Sequence, residues 1–185
     1  MKTRISIMII PLVFFLALPA LSDEDVIDME ITNRVQRLLD AYAGADDLMD
    51  EQLLAKRAEL EAMGERAIPA LCSILKKKDD PIYQARIIEV FQRADVDSKE
   101  PLKAVRSFLI THRDHKYAPA HQAALRYLGA KGEAQDSLIL TEYAKANDLV
   151  SRTIAEQARV AVEKRVADRA KGMGVTNGVP KDATK

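Results

Sequence analysis

A short helical hairpin between residues 64 and 95 is the feature that most constrains the fold. Its first helix carries an apolar stripe at i, i+3, i+4 and i+7, formed by Ile68, Leu71, Cys72 and Leu75. A turn follows at residues 78–80, and the second helix carries a stripe of Ile87, Val90, Phe91 and Ala94. A hairpin this small cannot bury both stripes by itself, so it requires copies stacked on either side.

A period of 34 residues supplies those copies. The turn aspartate recurs as Asp80, Asp114 and Asp148. Apolar positions recur with the same spacing, in the first helices as Leu71, Val105, Ile139 and as Leu75, Leu109, Tyr143, and in the second helices as Val90, Ala124, Ala158 and as Ala94, Leu128, Val162. One period earlier, Asp46, Leu53 and Leu60 match Asp80, Ile87 and Ala94. The pattern predicts an all-α chain of about four stacked hairpins with a degenerate first copy.

Two segments of the chain resemble a known repeat. Residues 64–71 read GERAIPAL and are followed by Asp80 and Arg86, while residues 123–129 read AALRYLG. Both segments resemble HEAT-type repeats, particularly the short HEAT-like form named after phycobilisome lyases. The period also suits tetratricopeptide repeats, but the chain lacks their Trp-Leu-Gly-Tyr series and has no tryptophan. The resemblance implies a right-handed α-solenoid. The third copy departs from the pattern because it lacks the early proline.

The expected helices span residues 26–43, 48–63, 99–111, 117–128, 133–146 and 149–170, in addition to the central hairpin. Ser98 is placed to cap one helix, and Gly129 and Gly132 are placed to end another. Residues 23–63 form the N-terminal pair and residues 64–170 the HEAT-like repeats. Residues 171–185 have little to bury and are expected to form a flexible tail.

The first 22 residues have the pattern of an export leader. Lys2 and Arg4 precede an apolar run at residues 5–18, and Ala20 and Ser22 are small residues before a cut at Asp23. We therefore expect an exported protein, periplasmic or secreted, with no membrane span once the leader is removed. An uncleaved membrane anchor is the alternative.

Charge and cysteine content narrow the class of function. Basic and acidic residues balance at 28 each, which argues against binding nucleic acid through its phosphates. The single cysteine, Cys72, lies on an apolar stripe and is interpreted as a core residue. Tyr83 and Tyr117 recur at the period, and we interpret them as packing between hairpins.

All three histidines, His112, His115 and His121, fall within ten residues and surround Asp114. Imidazole and carboxylate groups suit Zn, Ni or Cu, so a metal-binding periplasmic protein is one alternative. The favoured interpretation is structural, because His121 shares the core register of Ile87. The chain lacks the His-Glu pairs of the HEAT-like deoxyhypusine hydroxylase, a phosphate loop and a nucleophile elbow. We expect no enzyme activity and no cofactor.

The resemblance to HEAT repeats implies that the second helices line a concave face where another protein binds. The candidate partner-binding residues on those helices are Arg86, Glu89, Arg93, Arg126, Tyr127 and Arg152. The expected function is that of a non-enzymatic scaffold for protein–protein interaction. A structural role within a larger envelope assembly is a further alternative.

Overall fold

The computed structural model describes residues 23–43, 51–94, 96, 98–146 and 148–174, and over these residues the chain is all-helical. The helices are α1 (Asp23–Ala43), α2 (Glu51–Ala62), α3 (Ile68–Lys77), α4 (Pro81–Arg93), α5 (Glu100–Thr111), α6 (Ala118–Lys131), α7 (Asp136–Tyr143) and α8 (Leu149–Gly174). Short 3-10 turns at Gly64–Ala67 and His115–Tyr117 lead into α3 and α6.

From α3 onward, each helix packs on the helix two places further along the chain. Helix α4 packs on α6 and α6 on α8, while α3 packs on α5 and α5 on α7. Helices α1 and α2 pack on each other and on α4. These contacts bury the apolar stripes between neighbouring helices.

Burial follows the 34-residue register. Each of the following residues in that register is at most 5 % exposed: Leu71 and Val105, Leu75 and Leu109, Val90, Ala124 and Ala158, and Ala94, Leu128 and Val162. Ile139 and Tyr143, in the last hairpin, are partly buried against the same core. Leu53 and Leu60 of the N-terminal pair are also buried. The predicted core positions are confirmed.

Two of the turn aspartates, Asp80 and Asp148, cap the helix that follows them, whereas Asp114 does not cap α6 and its side chain accepts the backbone N–H of Lys116 at 3.4 Å. Oδ1 of Asp80 accepts hydrogen bonds from the backbone N–H groups of Ile82 and Tyr83, each at 3.0 Å. The Asp148 carboxylate accepts from the N–H groups of Val150 and Ser151 at 3.2 and 2.9 Å. The cap predicted for Asp80 is confirmed, and it satisfies donors that a helix start leaves unpaired.

Gly129 does not end its helix, which contradicts the sequence-based expectation. Helix α6 continues to Lys131, and Gly132 follows it. Gly129 instead allows a close approach of α8, because a Cβ added there would lie 3.0 Å from the Cβ of Ala158. The guanidinium of Arg165 on α8 donates to the carbonyls of Gly129 and Ala130. Glycine therefore serves packing between helices at this position.

Other boundaries shift as well. Helix α7 is shorter than predicted, spanning Asp136–Tyr143, and α8 extends beyond the predicted tail boundary to Gly174. The predicted leader at residues 1–22, the turn residue Asp46 and residues 175–185 of the predicted tail lie outside the described residues.

The first test of the packing register is Leu71→Ala. Leu71 is 1 % exposed, so its truncation is expected to lower the free energy of unfolding by about 2–5 kcal/mol. Urea unfolding measures the change. The matched control is Leu138→Ala, because Leu138 is 77 % exposed and its loss is expected to change stability by less than about 0.5 kcal/mol. Equal effects of the two substitutions would contradict the register.

Candidate functional site

A groove of about 530 Å³ brings four of the six predicted site residues together. We call it the arginine groove. It is lined by Tyr42 of α1, Arg57 of α2, Arg86, Glu89, Gln92 and Arg93 of α4, and Ala123 and Arg126 of α6. The groove therefore extends from the N-terminal helix pair across α4 to α6.

Helical spacing explains how α4 presents its part of this surface. Arg86, Glu89 and Arg93 are three and four residues apart, so they lie on one face of the helix. Ile87 and Val90, on the other side, are fully buried in the core. One period after Glu89 and Gln92, α6 carries Ala123 and Arg126. The small Ala123 side chain leaves space in the groove between the charged groups of the two helices.

Glu89 connects α4 to α1 within the arginine groove. Its Oε2 accepts a hydrogen bond from the Tyr42 hydroxyl at 3.0 Å and one from Nη1 of Arg86 at 2.9 Å. The Arg86 guanidinium also lies over the Tyr42 ring, 5.3 Å from its centroid. The pKa of Tyr42 is raised, mainly by burial and secondly by the charge of Glu89, so its hydroxyl remains a donor at neutral pH.

Positive charge exceeds negative charge in the arginine groove. Four guanidinium groups and one carboxylate line it. Arg57 is also paired with Glu61, at 3.2 Å, and Arg86 with Glu89. Arg93 and Arg126 are exposed and have no ion-pair or hydrogen-bond partner within the described part of the chain. The Nε atom of Arg86 is buried and likewise lacks a hydrogen-bond partner there. The arrangement can hold a negatively charged group.

Tyr127 does not belong to the surface, and its prediction as an exposed site residue is wrong. It is 4 % exposed and packs against Phe91, with 6.4 Å between the ring centroids. Burial raises the pKa of its hydroxyl to about 12. Arg152 is exposed on α8 and does not line the arginine groove. The other four residues share one surface, and a role of that surface in binding stays a prediction.

His121 lies in the core, as its register predicts, and is 5 % exposed. Its Nε2 contacts the carbonyl oxygen of His112, and its ring packs against those of Tyr143 and Phe108. The His112 ring stacks on Phe108, and its Nδ1 lies 2.8 Å from Oγ1 of Thr111. The side chain of His115 lies outside the described residues. Among the side chains that are described, no three of His, Cys, Asp or Glu are grouped as metal ligands would be.

The repeated tyrosines join neighbouring hairpins, as predicted. Tyr83 is buried, and its hydroxyl donates to Asp40 of α1 at 2.8 Å. Tyr117 is buried one period later, and its hydroxyl donates to Asp79 in the preceding turn. Cys72 is also buried, as predicted, and burial raises the pKa of its thiol to about 11.

A buried ion pair between α5 and α7 is the main feature that the sequence analysis missed. Arg106 donates to both carboxylate oxygens of Asp136, from Nε at 2.5 Å and from Nη2 at 2.8 Å. Nη2 also contacts Glu133 at 2.9 Å, and Asp136 accepts the backbone N–H of Glu133 at 2.7 Å. The 34-residue register contained a signal for this ion pair, since Asp136 stands at the position where Ile68 and Leu102 are apolar.

This ion-pair network predicts a contribution of Glu133 to acid sensitivity. The hydrogen bond from Arg106, and then the one from Lys99, lower the pKa of Glu133 from 4.5 to about 2. A carboxylate with a lowered pKa stabilises the fold above its ordinary pKa, and this stabilisation is lost as pH falls towards about 2. Wild-type Tm should therefore fall more steeply than that of Glu133→Gln between pH 4.5 and about 2. Parallel melting curves across this range would contradict the assignment.

A second basic groove lies between α3 and α5. It has a volume of about 500 Å³, and its charged lining residues are Lys76, Lys77, Lys103 and Glu100. Its cations are flexible lysines, whereas the arginine groove carries planar guanidinium groups that suit paired contacts to carboxylates. This lysine groove provides matched control positions for experiments on the arginine groove.

Comparison of the chain with protein-family models, curated proteins and solved structures gives no significant match. Among the helices that the structure describes, none is both long enough and apolar enough to cross a membrane. The described residues therefore define an all-helical protein with an arginine-lined surface groove.

Proposed function

We propose that the chain is a HEAT-like protein-binding module and that its arginine groove receives the partner. The module is a right-handed α-solenoid of helical hairpins without enzymatic activity. The observation that carries this proposal is the groove itself, which has a volume of about 530 Å³ and is lined by residues from four helices. Arginine and tyrosine, which are enriched at hot spots of protein interfaces, line it.

Three features of the fold support a stacked-repeat architecture. Core burial recurs every 34 residues, Asp80 and Asp148 both cap the helix that follows them, and each helix packs on the helix two places along the chain from α3 onward. In such an array each hairpin contacts only its neighbours, which leaves a continuous helical face available for a partner. Helices α4 and α6 supply most of the arginine groove and lie in one row of this array.

The proposed cellular location is outside the cytoplasm, either periplasmic or secreted. Support for this location comes from the sequence of residues 1–22, which has a charged start, an apolar run and small residues before Asp23. In that location the partner would be another exported or envelope protein.

Site-resolved crosslinking tests the binding proposal. A photoreactive phenylalanine analogue is placed at Gln92, an exposed residue of the groove, or at Lys103, an exposed residue of the lysine groove. After illumination of the envelope fraction, we expect a protein adduct from position 92 and a much weaker one from position 103. Adding Arg126→Glu to the position-92 protein should abolish its adduct. Adducts from position 103 alone, or from neither position, would contradict the proposal.

A further inference from the structure

We propose that the arginine groove recognises an acidic, extended peptide segment of the partner through Arg93 and Arg126. This inference rests on the proposed function and adds the chemistry of the ligand. Positive charge is concentrated in this groove. The chain as a whole has equal numbers of basic and acidic residues, yet the lining of this groove has three more positive than negative groups.

The two arginines are available for a ligand because no described residue pairs with them. Most other groove charges are engaged, Arg86 with Glu89 at 2.9 Å and Arg57 with Glu61 at 3.2 Å. Arg93 on α4 and Arg126 on α6 have no such partner among the described residues, although they line the same groove from adjacent helices. A guanidinium offers two parallel N–H donors, which match the two oxygens of a carboxylate.

The shape of the groove favours a peptide over a small anion. About 530 Å³ lies within the range of roughly 300–1,000 Å³ that pockets for organic ligands occupy, and far exceeds the space that one phosphate needs. Ala123 and the Tyr42 ring add apolar surface beside the charges. An extended peptide can place carboxylates on Arg93 and Arg126 and an apolar side chain or backbone against Ala123.

Glu89 is the one acid among the residues that line the arginine groove. Its carboxylate accepts hydrogen bonds from the Tyr42 hydroxyl and from Arg86, so its charge is already paired within the fold. An acidic segment should therefore place its carboxylates on Arg93 and Arg126, which have no ion-pair partner among the described residues.

Fluorescence anisotropy with a short labelled poly-glutamate peptide tests the inference. The wild-type protein should bind this peptide and not a matched poly-glutamine peptide. The double variant Arg93→Gln/Arg126→Gln should lose affinity by about 30-fold, since each exposed charge pair contributes about 1 kcal/mol at most. Binding should also weaken as salt is added, because both arginines are exposed.

The matched control is Lys76→Gln/Lys103→Gln, which removes the same amount of charge from the lysine groove. It should change the affinity by less than about 3-fold, since neither lysine lines the arginine groove and exposed charges away from the site are screened by salt. Equal losses in the two double variants would overturn the proposal, as would the absence of poly-glutamate binding.

Competition by inorganic phosphate as effective as that of unlabelled peptide would show a small-anion site. Tighter binding of single-stranded DNA would show a nucleic-acid site, and either result would overturn the proposal.

The inference and the proposed function can fail separately. Peptide binding that depends on Arg93 and Arg126, without any protein adduct at position 92, would support acidic recognition and contradict the scaffold role. A protein adduct at position 92 that survives Arg93→Gln/Arg126→Gln would support a docking role and overturn acidic recognition. Thermal melts of both double variants should match the wild type, because the substituted side chains are exposed.

Discussion

Asp136→Ala is expected to lower the free energy of unfolding by about 3–5 kcal/mol, the cost of removing one partner from a buried ion pair. Asp136 has no exposed surface, and it holds the Arg106 guanidinium by two hydrogen bonds of 2.5 and 2.8 Å. The side chain of Arg106 is only 18 % exposed, so water replaces the lost carboxylate poorly. The backbone N–H of Glu133 also loses its acceptor. Urea unfolding measures the effect.

A second variant separates the buried charge from the space that it occupies. Arg106→Met with Asp136→Leu removes both charges and keeps apolar volume between α5 and α7. This pair should be more stable than Asp136→Ala, because replacing both members of a buried ion pair by apolar groups is often neutral or stabilising. If Asp136→Ala costs less than about 0.5 kcal/mol, the bond to Arg106 contributes little to the fold.

The repeat register predicts most of the core because it depends on local spacing. Leu71, Val105 and Val90 are buried where the 34-residue period places them, and an apolar side chain at the right spacing is enough to mark each position. Asp136 violates that pattern, since an acid stands where Ile68 and Leu102 are buried. The partner that makes its burial possible, Arg106, is itself at the register of Cys72 and Leu140. Two charged residues in core register on adjacent hairpins were the available signal for this ion pair.

The arginine groove was predicted only in part because the remainder depends on contacts distant in sequence. Tyr42 reaches Glu89 from 47 residues away, and no periodic pattern encodes that contact. The 34-residue register also fails to predict burial at positions on the boundary between core and surface. Arg93 and Tyr127 occupy equivalent positions one period apart, yet Arg93 is exposed and Tyr127 is buried. At such a boundary position the side chain decides, because an aromatic ring gains from burial and a guanidinium stays in water.

Tyr127→Ala should lower stability and Arg126→Ala should weaken binding, although the two residues are adjacent in sequence. Tyr127 is 4 % exposed in the core beside Phe91, so its truncation should lower the free energy of unfolding by about 3–5 kcal/mol. Arg126 is exposed and has no partner among the described residues, so its truncation should change stability by less than about 0.5 kcal/mol.

Binding of the poly-glutamate peptide should show the reverse order. Under conditions where both variants remain folded, Arg126→Ala should weaken the peptide complex, because it removes a guanidinium from the groove lining. Tyr127→Ala should leave the affinity near that of the wild type, since its side chain packs in the core and does not line the groove. Urea unfolding and anisotropy on the same two proteins make the comparison. A stable Tyr127→Ala variant that loses peptide binding would place Tyr127 on the surface, as the sequence alone predicted, and would contradict its packing against Phe91.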